Sequence, residues 1–573
     1  MSTVSTVSIF QGVRMAYFLK KCTKKGRVYL SIVNGYHDPN KGYTVQETYQ
    51  SFGTGSKLIE QGISDPVAYC EELVKKLNFE QRKARIEEVS EMSPIKFAGH
   101  FLINAILNKL GVKQIFDIYS LTTNFRFNLY DVFCSLVFSR IIKPCSKYQT
   151  FKEIIPYLDK QYSFSYDQLL SGLAYFGDNY EKISEIFTVS VQEKYKLDTG
   201  HAYFDCTNFY FEIDKEDEFR KKGPSKENRP LPLVGMGLLL DANQIPIGLK
   251  LYPGNESEKP KIREIINELK QNNDIHTKII QVADKGLNCA RNIYAARIDG
   301  DGYIFSKSCK TLPDTEKKWI FSDNDYKEVK DQDNNVLYKI KECVDDYTYH
   351  FEENGEKRIF TVKEKRVVTF NPSLARKQLM EIEKLENKAR ELCLCRAKKD
   401  EFGECSKYVD FKSKDGSSAS VSLNSKKLKE DKELCGYNLI VTSELKLSSA
   451  EIYKVYHNLW RIEESFRMMK SELDARPVYL QKKNTVFGHF LICYIGVLLT
   501  RLLQIYELKD ENSYQSVFKF IRDFQLVKNN GKFVNLLTKS DFLDQISNLV
   551  KLPIKSAVIT QKQYEKIMNY KFK

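Results

Sequence analysis

Apolar and polar positions repeat with different periods in successive stretches of this chain, and the changes of period divide it. Near the N-terminus, Arg27-Val-Tyr-Leu-Ser-Ile-Val33 alternates with period two and predicts a strand, with Tyr43–Tyr49 as its hairpin partner. From Ser93 to about Leu197 the pattern is helical, as in His100–Leu107 and Tyr130–Ile142. At His201 the texture turns to strands. Ala202–Ile213 is dense in aromatic and β-branched residues, and Leu233–Asp241 and Ile245–Tyr252 flank the turn residues Ala242, Asn243 and Gln244. A helix over Lys261–Gln271 and a short buried strand over Lys278–Ala283, ending at Asp284, come next. A second helical stretch then precedes a strand over Gly302–Ser306. That order predicts a mixed α/β sheet.

Residues 310–434 break the pattern. They are rich in Lys, Asp and Glu, with short strands at Tyr347–Phe351 and Arg358–Val362, a long charged helix from about Ser373 to Ala397, and a turn at Lys414–Ser418. This reads as an insertion. The core resumes at Tyr437–Thr442, followed by a helix over Ala450–Leu473 and an apolar helix near 490–504. The expected organisation is a basic N-terminal β/α region over 1–92, a helical domain over 93–198 and a first part of the α/β core over 199–309. The insertion over 310–434, a second part of the core over 435–505 and a C-terminal region over 506–573 complete it.

Composition narrows the class. Of 573 residues, 42% are hydrophobic and 12% aromatic, which excludes wholesale disorder. Lys and Arg number 89 against 75 Asp and Glu, and a net charge of +14 favours a polyanionic partner, nucleic acid first. Residues 1–37 hold six basic residues and no acid, and the last 23 residues hold six lysines and one glutamate. The thirteen cysteines form no CxxC pair; Cys393, Cys395, Cys405 and Cys435 fit zinc spacing poorly and read as reduced thiols of a cytoplasmic protein. No secretory signal opens the chain, and the apolar run Phe490–Thr500 is short for a bilayer, so a buried helix and no membrane partner are expected.

Three carboxylates stand out by position. Asp205 lies inside an aromatic, apolar strand, sharing a face with Tyr203 and Thr207. Asp284 ends a short buried strand, where α/β sheets commonly place ligand-binding groups. Either has an ordinary alternative: a half-exposed Asp at a strand edge, or a helix N-cap. On an unbroken helix, Tyr456, Glu463, Arg467 and Lys470 share a face that borders the apolar stripe of Val455, Ile462, Phe466 and Leu473. Here the ordinary alternative is an amphipathic helix with a Glu463–Arg467 salt bridge. Together, two strand-borne aspartates and a helix-borne glutamate can form a carboxylate site for two hard cations, Mg²⁺ or Mn²⁺, suited to phosphodiester attack.

With these residues in place, the chain resembles bacterial insertion-sequence transposases of the DDE type, the large group with a ribonuclease H-like core. Tyr203-Phe-Asp-Cys-Thr-Asn208 resembles the first-aspartate strand, and Val282-Ala-Asp-Lys-Gly286 the second. Tyr456-x2-Leu459-x3-Glu463-x6-Lys470 resembles the Tyr-Arg-Glu-Lys signature, with Leu459 where the arginine belongs. Lys222–Glu227, Gly237–Asp241 and Tyr252–Asn255 are similar to the group's linker and hairpin, and the long insertion is expected there.

The resemblance implies an α/β fold, with a ribonuclease H-like mixed sheet interrupted by a strand-rich insertion, after an N-terminal β-hairpin segment and a helical domain. It implies catalysis by Asp205, Asp284 and Glu463, which would also hold two Mg²⁺ ions, Mn²⁺ substituting. Tyr456 and Lys470 would contact DNA phosphates, with Arg461 or Arg467 in the arginine's role. Trp319 would stack a flipped base, or else pack within the insertion. The partners expected are double-stranded DNA, as terminal inverted repeats and target, and a second copy of the chain bridging two ends. The site of action expected is the bacterial cytoplasm, at the nucleoid. A metal-dependent nuclease without strand transfer and an inactive, transposase-derived DNA-binding protein are the alternatives.

Overall fold

The computed structural model describes residues 14–24, 26–38, 43–87, 95–121, 123–224, 230–272, 278–353, 355–394, 399–412, 420–529 and 531–572. Residues 1–13 and Lys25 of the basic N-terminal segment, part of the expected linker (225–229) and the Gly/Ser turn at 413–419 lie outside the described residues, as does the end of the charged helix at 395–398. The chain divides into two compact units. One comprises Met1–Lys96, Gln525–Thr538 and Pro553–Tyr564; the other comprises Phe97–Phe524, Lys539–Leu552 and Glu565–Lys573.

In the first unit the expected hairpin is an antiparallel pair, Arg27–Asp38 with Tyr43–Thr54, and Arg14–Lys24 adds a third strand on the other side of Arg27–Asp38. The charge density of Arg14–Lys24 hides its alternation in the sequence. The helix Pro66–Glu87 is tied to this sheet where Asn78 accepts from the Tyr17 amide at 2.8 Å, and Leu30, Leu58 and Cys70 form the buried contact.

The second unit is built on one nine-stranded sheet. Its strands are β1 (His201–Tyr210), β2 (Leu233–Leu240), β3 (Pro246–Pro253), β4 (Ile280–Ala283) and β5 (Gly302–Lys307), then β6 (Lys327–Lys330), β7 (Val336–Glu353), β8 (Glu356–Phe370) and β9 (Tyr437–Thr442). The order across the sheet is β6-β7-β8-β9-β5-β4-β1-β2-β3. Only β1–β4 and β4–β5 are parallel pairs. Phe204, Cys206, Ala283 and Phe305 point to one face, under the helices Lys261–Asn272 and Ala290–Ile298, through Ile262, Ile265, Ile266 and Ile293. By alternation, Asp205, Thr207 and Phe209 point to the other.

The expected insertion differs from a self-contained module. Its two short strands are the parts of β7 and β8 nearest their connecting turn; β7 and β8 pair continuously from Lys339 with Phe370 to Glu353 with Glu356, and β8 pairs with β9. Charged residues alternate along both strands and face solvent for much of their length, so the apolar signal was weak while the pairing is long. The rest, from the helix Pro372–Leu394 to the helix Ser425–Glu433, has its own small core of Ala389, Phe402, Cys405 and Val409. Cys405 is buried there as a free thiol.

On the Asp205 face lies the apolar helix Lys483–Leu502, continued by a π-helical turn to Glu507. The sequence reading placed it at 490–504 and judged the run short. The helix is in fact long and apolar enough to cross a membrane by length and composition, and its apolar window is entirely buried inside the protein. Polar Asn484, Thr485, His489 and Arg501 lie within it, which breaks the apolar run without breaking the helix. It crosses the helix Tyr166–Asp178 with backbone nearly touching backbone, because both carry glycine at the crossing. A Cβ on Gly488 would fall on the Leu173 carbonyl, and one on Gly177 on the Asn484 carbonyl. Gly488→Ala should therefore force the helices apart and lower unfolding free energy by roughly 1–3 kcal/mol. An unchanged denaturant midpoint would contradict this crossing.

Candidate active site

Parallel pairing brings the two aspartates together. Phe204 is in register with Ala283, so Asp205 and Asp284, the next residues along β1 and β4, are neighbours on adjacent strands about 4.8 Å apart. Asp205 sits on a central strand, flanked by β4 and β2, and not at an edge. It is half-buried and its Oδ1 accepts from the Cys206 amide at 2.7 Å. Asp284 is exposed and caps no helix, since the next helix begins at Ala290 with Cys289 as its N-cap. Its Oδ1 accepts from the Ser306 hydroxyl at 2.8 Å and from the Tyr456 hydroxyl at 3.1 Å. Ser306 was not foreseen. It follows Phe305, which is in register with Ala283, so the strand-end rule that selected Asp284 would also have found it.

The third carboxylate arrives on a broken helix. The expected single helix is two, α1 (Ser449–His457) and α2 (Trp460–Arg467), followed by a π-helical segment, Met468–Glu472. Around the junction the bonds skip three residues: Leu459 to Tyr456, Arg461 to Asn458 and Ile462 to Leu459, each 3.1 Å. A three-residue turn advances about 120° per residue against about 100°, so α2 is rotated relative to an unbroken helix. Asn458, a weak helix former, reaches Tyr203 on β1 at 3.5 Å.

Tyr456 joins the two sides. Burial raises the pKa of its phenol, and the negative charges of Asp284 and Glu463 both raise it further, so it stays a neutral donor facing two carboxylates. Glu463 is exposed and, among the described residues, makes no ion pair; the anticipated bridge to Arg467 is not formed. Arg467 lies instead near Tyr514, where its charge partly offsets the burial that raises that phenol's pKa. Lys470 lies in the π-helical segment with its Nζ 5.6 Å from the Phe209 ring centre, four residues along β1 from Asp205.

The chain matches the family model described as a transposase DDE domain over residues 204–499, just over half its length. The chain belongs to the DDE transposase family. No curated protein matches it in sequence. Among solved structures, a piggyBac transposase in a synaptic complex with hairpin DNA is similar, with 10% identity and a TM-score of 0.35, covering 85% of this chain and 88% of the other. By its family the protein is a transposase, an enzyme of DNA transposition.

DDE transposases generally use divalent metal ions. The donors in this transposase suit a hard cation, being carboxylate oxygens on one face of a sheet and on the helix opposite. Among the described residues no three His, Cys, Asp or Glu side chains converge closely enough to hold a metal ion. Trp319, in the helix Asp314–Phe321, is half-buried against the main core, with the Lys341 ammonium 5.1 Å from its ring centre.

Glu464, next to Glu463, points into the protein. Its Oε2 meets Arg501 Nη2 at 2.6 Å and Arg461 Nη1 at 3.2 Å. Arg501 is fully buried in the long apolar helix and also donates to Gln504, Ser465 and the Arg461 carbonyl. Arg461 continues to Asp510 and stacks on Trp460, its guanidinium 4.1 Å from the ring centre. This network fixes α2 and leaves Glu463, about 100° round the helix from Glu464, exposed to solvent. Glu464→Ala would strand a buried guanidinium and should cost about 3–5 kcal/mol of stability. DNA cleavage should fall with it although Glu463 is untouched; full stability and activity would remove the network from the site's support.

Proposed function

We propose that this transposase cleaves the ends of a bacterial insertion sequence and joins the freed 3′-hydroxyls to target DNA, using Asp205, Asp284 and Glu463 with two divalent cations. The observation that carries this is the in-register pair Asp205–Asp284 facing Glu463 across the Tyr456 hydroxyl. The ribonuclease H-like description is proposed for the β3-β2-β1-β4-β5 part of the sheet, in which β2 runs against the other four.

The three carboxylates would hold Mg²⁺, or Mn²⁺ in its place; when bound, the ions supply Lewis-acid stabilisation of the attacking and leaving oxygens. The protein's own groups do the positioning. Ser306 and Tyr456 hold one oxygen of Asp284 and so fix the orientation of its carboxylate. Tyr456, Lys470 and Arg467 would line the path of the scissile strand and bind phosphates, with Arg461 behind them in the ion network. Trp319 would meet a displaced base at the margin of the insertion. A homodimer would bring two terminal inverted repeats together, acting at the bacterial nucleoid in the cytoplasm.

Asp205→Ala, Asp284→Ala and Glu463→Ala should each abolish Mg²⁺-dependent cleavage of end DNA while leaving its binding nearly intact; cleavage at the wild-type rate by any of them refutes the triad. Supplied with pre-cleaved ends and plasmid, the wild type should give joined product, and hydrolysis without joining would instead identify a nuclease. Lys470→Ala should weaken end-DNA binding and reduce the salt dependence, the slope of log K against log salt, by about one. An unchanged slope would take Lys470 out of the phosphate contacts.

A further inference from the structure

Away from the carboxylates, three basic side chains are buried together. Arg140 lies in the last turn of the helix Leu129–Ile142, Lys147 follows a few residues later, and His489 lies in the long apolar helix. These residues are 6%, 6% and 3% exposed. Lys147 Nζ is 3.2 Å from His489 Nδ1, and His489 Nε2 is 3.2 Å from the Ala475 carbonyl oxygen. A neutral imidazole satisfies both, Nδ1 accepting from the ammonium and Nε2–H donating to the carbonyl. Arg140 donates to the carbonyls of Leu473 at 3.4 Å and Cys145 at 3.0 Å.

Among the described residues neither Arg140 nor Lys147 forms an ion pair. The acid whose charge is felt nearby is Asp474, which Arg140 shares with Arg522. Burial, then the neighbouring cations, lower both Lys147 and His489 well below their ordinary values. An ammonium has three donors and a guanidinium five, so most of this donor capacity is unspent. Buried cations without anions are costly.

A cavity of about 230 Å³ opens onto these groups, walled on one side by Pro477–Leu480. Tyr148 and Tyr479 stand at its lining, 56% and 73% exposed, so it communicates with solvent. Lys470 lies over the ring of Phe209, and the Arg476 guanidinium lies 4.0 Å from the ring centre of Tyr210, both at the end of the strand that carries Asp205. The next residue after Arg476 begins the cavity wall.

We propose that this cavity seats a backbone phosphate of the bound DNA, with Arg140 and Lys147 as its charged donors and the exposed rings of Tyr148 and Tyr479 against the adjoining sugar or base. The inference rests on DNA being the partner. A phosphate offers acceptors in several directions and the negative charge that the cluster lacks, and charge-assisted bonds of this kind are the stronger ones. The groove would thereby hold the strand at a second point beyond the cleavage site.

The test uses the full chain, inorganic phosphate and a labelled duplex, with Lys147→Met as the variant. Methionine keeps the length of the stem and removes a buried charge, so the unliganded variant should be at least as stable as wild type. At constant ionic strength phosphate should raise the wild-type Tm saturably and leave the variant's unchanged. The duplex should bind the variant about tenfold more weakly, with a salt slope lower by about one. Equal phosphate protection of both proteins overturns the cavity as an anion seat. Lost phosphate protection with unchanged duplex affinity and slope overturns the DNA assignment in favour of a free phosphate. A wild type that binds duplex no differently from the variant leaves the transposase reading standing, whereas a wild type without DNA binding fails both.

Discussion

Arg501 sits in the middle of a helix that water does not reach, and a guanidinium in that position must find a carboxylate or destabilise the fold by several kcal/mol. Glu464 answers it at 2.6 Å. The pair joins the helix that carries Glu463 to the long buried helix Lys483–Leu502, and the rest of the site depends on that join. Adjacent residues on a helix point about 100° apart. Driving Glu464 inward thus leaves Glu463 exposed, with its charge acting on the Tyr456 phenol that bonds Asp284. One residue of the Glu463–Glu464 pair anchors and its neighbour stays free for the role proposed for it.

The aspartates need no comparable anchor because a parallel ladder already fixes them. β1 and β4 are adjacent and in register, and β5 extends the row to Ser306. A residue just past the end of a buried strand has a constrained backbone and an open side-chain face, which explains how Asp284 is exposed while Ala283 beside it is fully buried. Tyr456 then couples sheet to helix. Its hydroxyl hydrogen-bonds Asp284, and the Glu463 charge acts on the same phenol. The site is therefore two rigid elements bridged by one neutral donor.

Much of this was legible in the sequence, for reasons that also mark where reading stops. β1 to β5 and β9 are short, buried strands with dense β-branched and aromatic runs, and their bounds were close to those observed. The strands β7 and β8 were recognised only in fragments, since their solvent-facing charges mask an alternation that pairing makes continuous. The helix at 450–473 was legible as apolar periodicity, but the three-residue turn at Asn458–Leu459 and the π-helical segment after Arg467 leave no mark in a pattern read at constant pitch. The wheel therefore kept Arg467 beside Glu463, whereas the structure turns it to Tyr514. Glu464 lies off the face shared by Tyr456, Glu463 and Lys470, and nothing in the local pattern marks it. Its importance depends on Arg501, 37 residues later, and no local pattern pairs them.

Arg140 and Arg501, two of the buried arginines of this unit, show how the same residue type takes opposite roles. Arg501 has a carboxylate partner and is held by further bonds to Gln504 and Ser465. Its charge is spent within the protein, and its work is to hold a helix still. Arg140 has two backbone carbonyls, a buried lysine and histidine for company, and an open cavity beside them. A fold that needed Arg140 only for support would gain by placing an acid there, as it does at Arg501. Lys147 and a neutral His489 stand there instead, which leaves Arg140 and Lys147 with no ion pair among the described residues at a place solvent can enter. Donors left in that state are useful to a DNA-handling protein if an anion completes them, and a backbone phosphate of the bound strand is the anion proposed for that place.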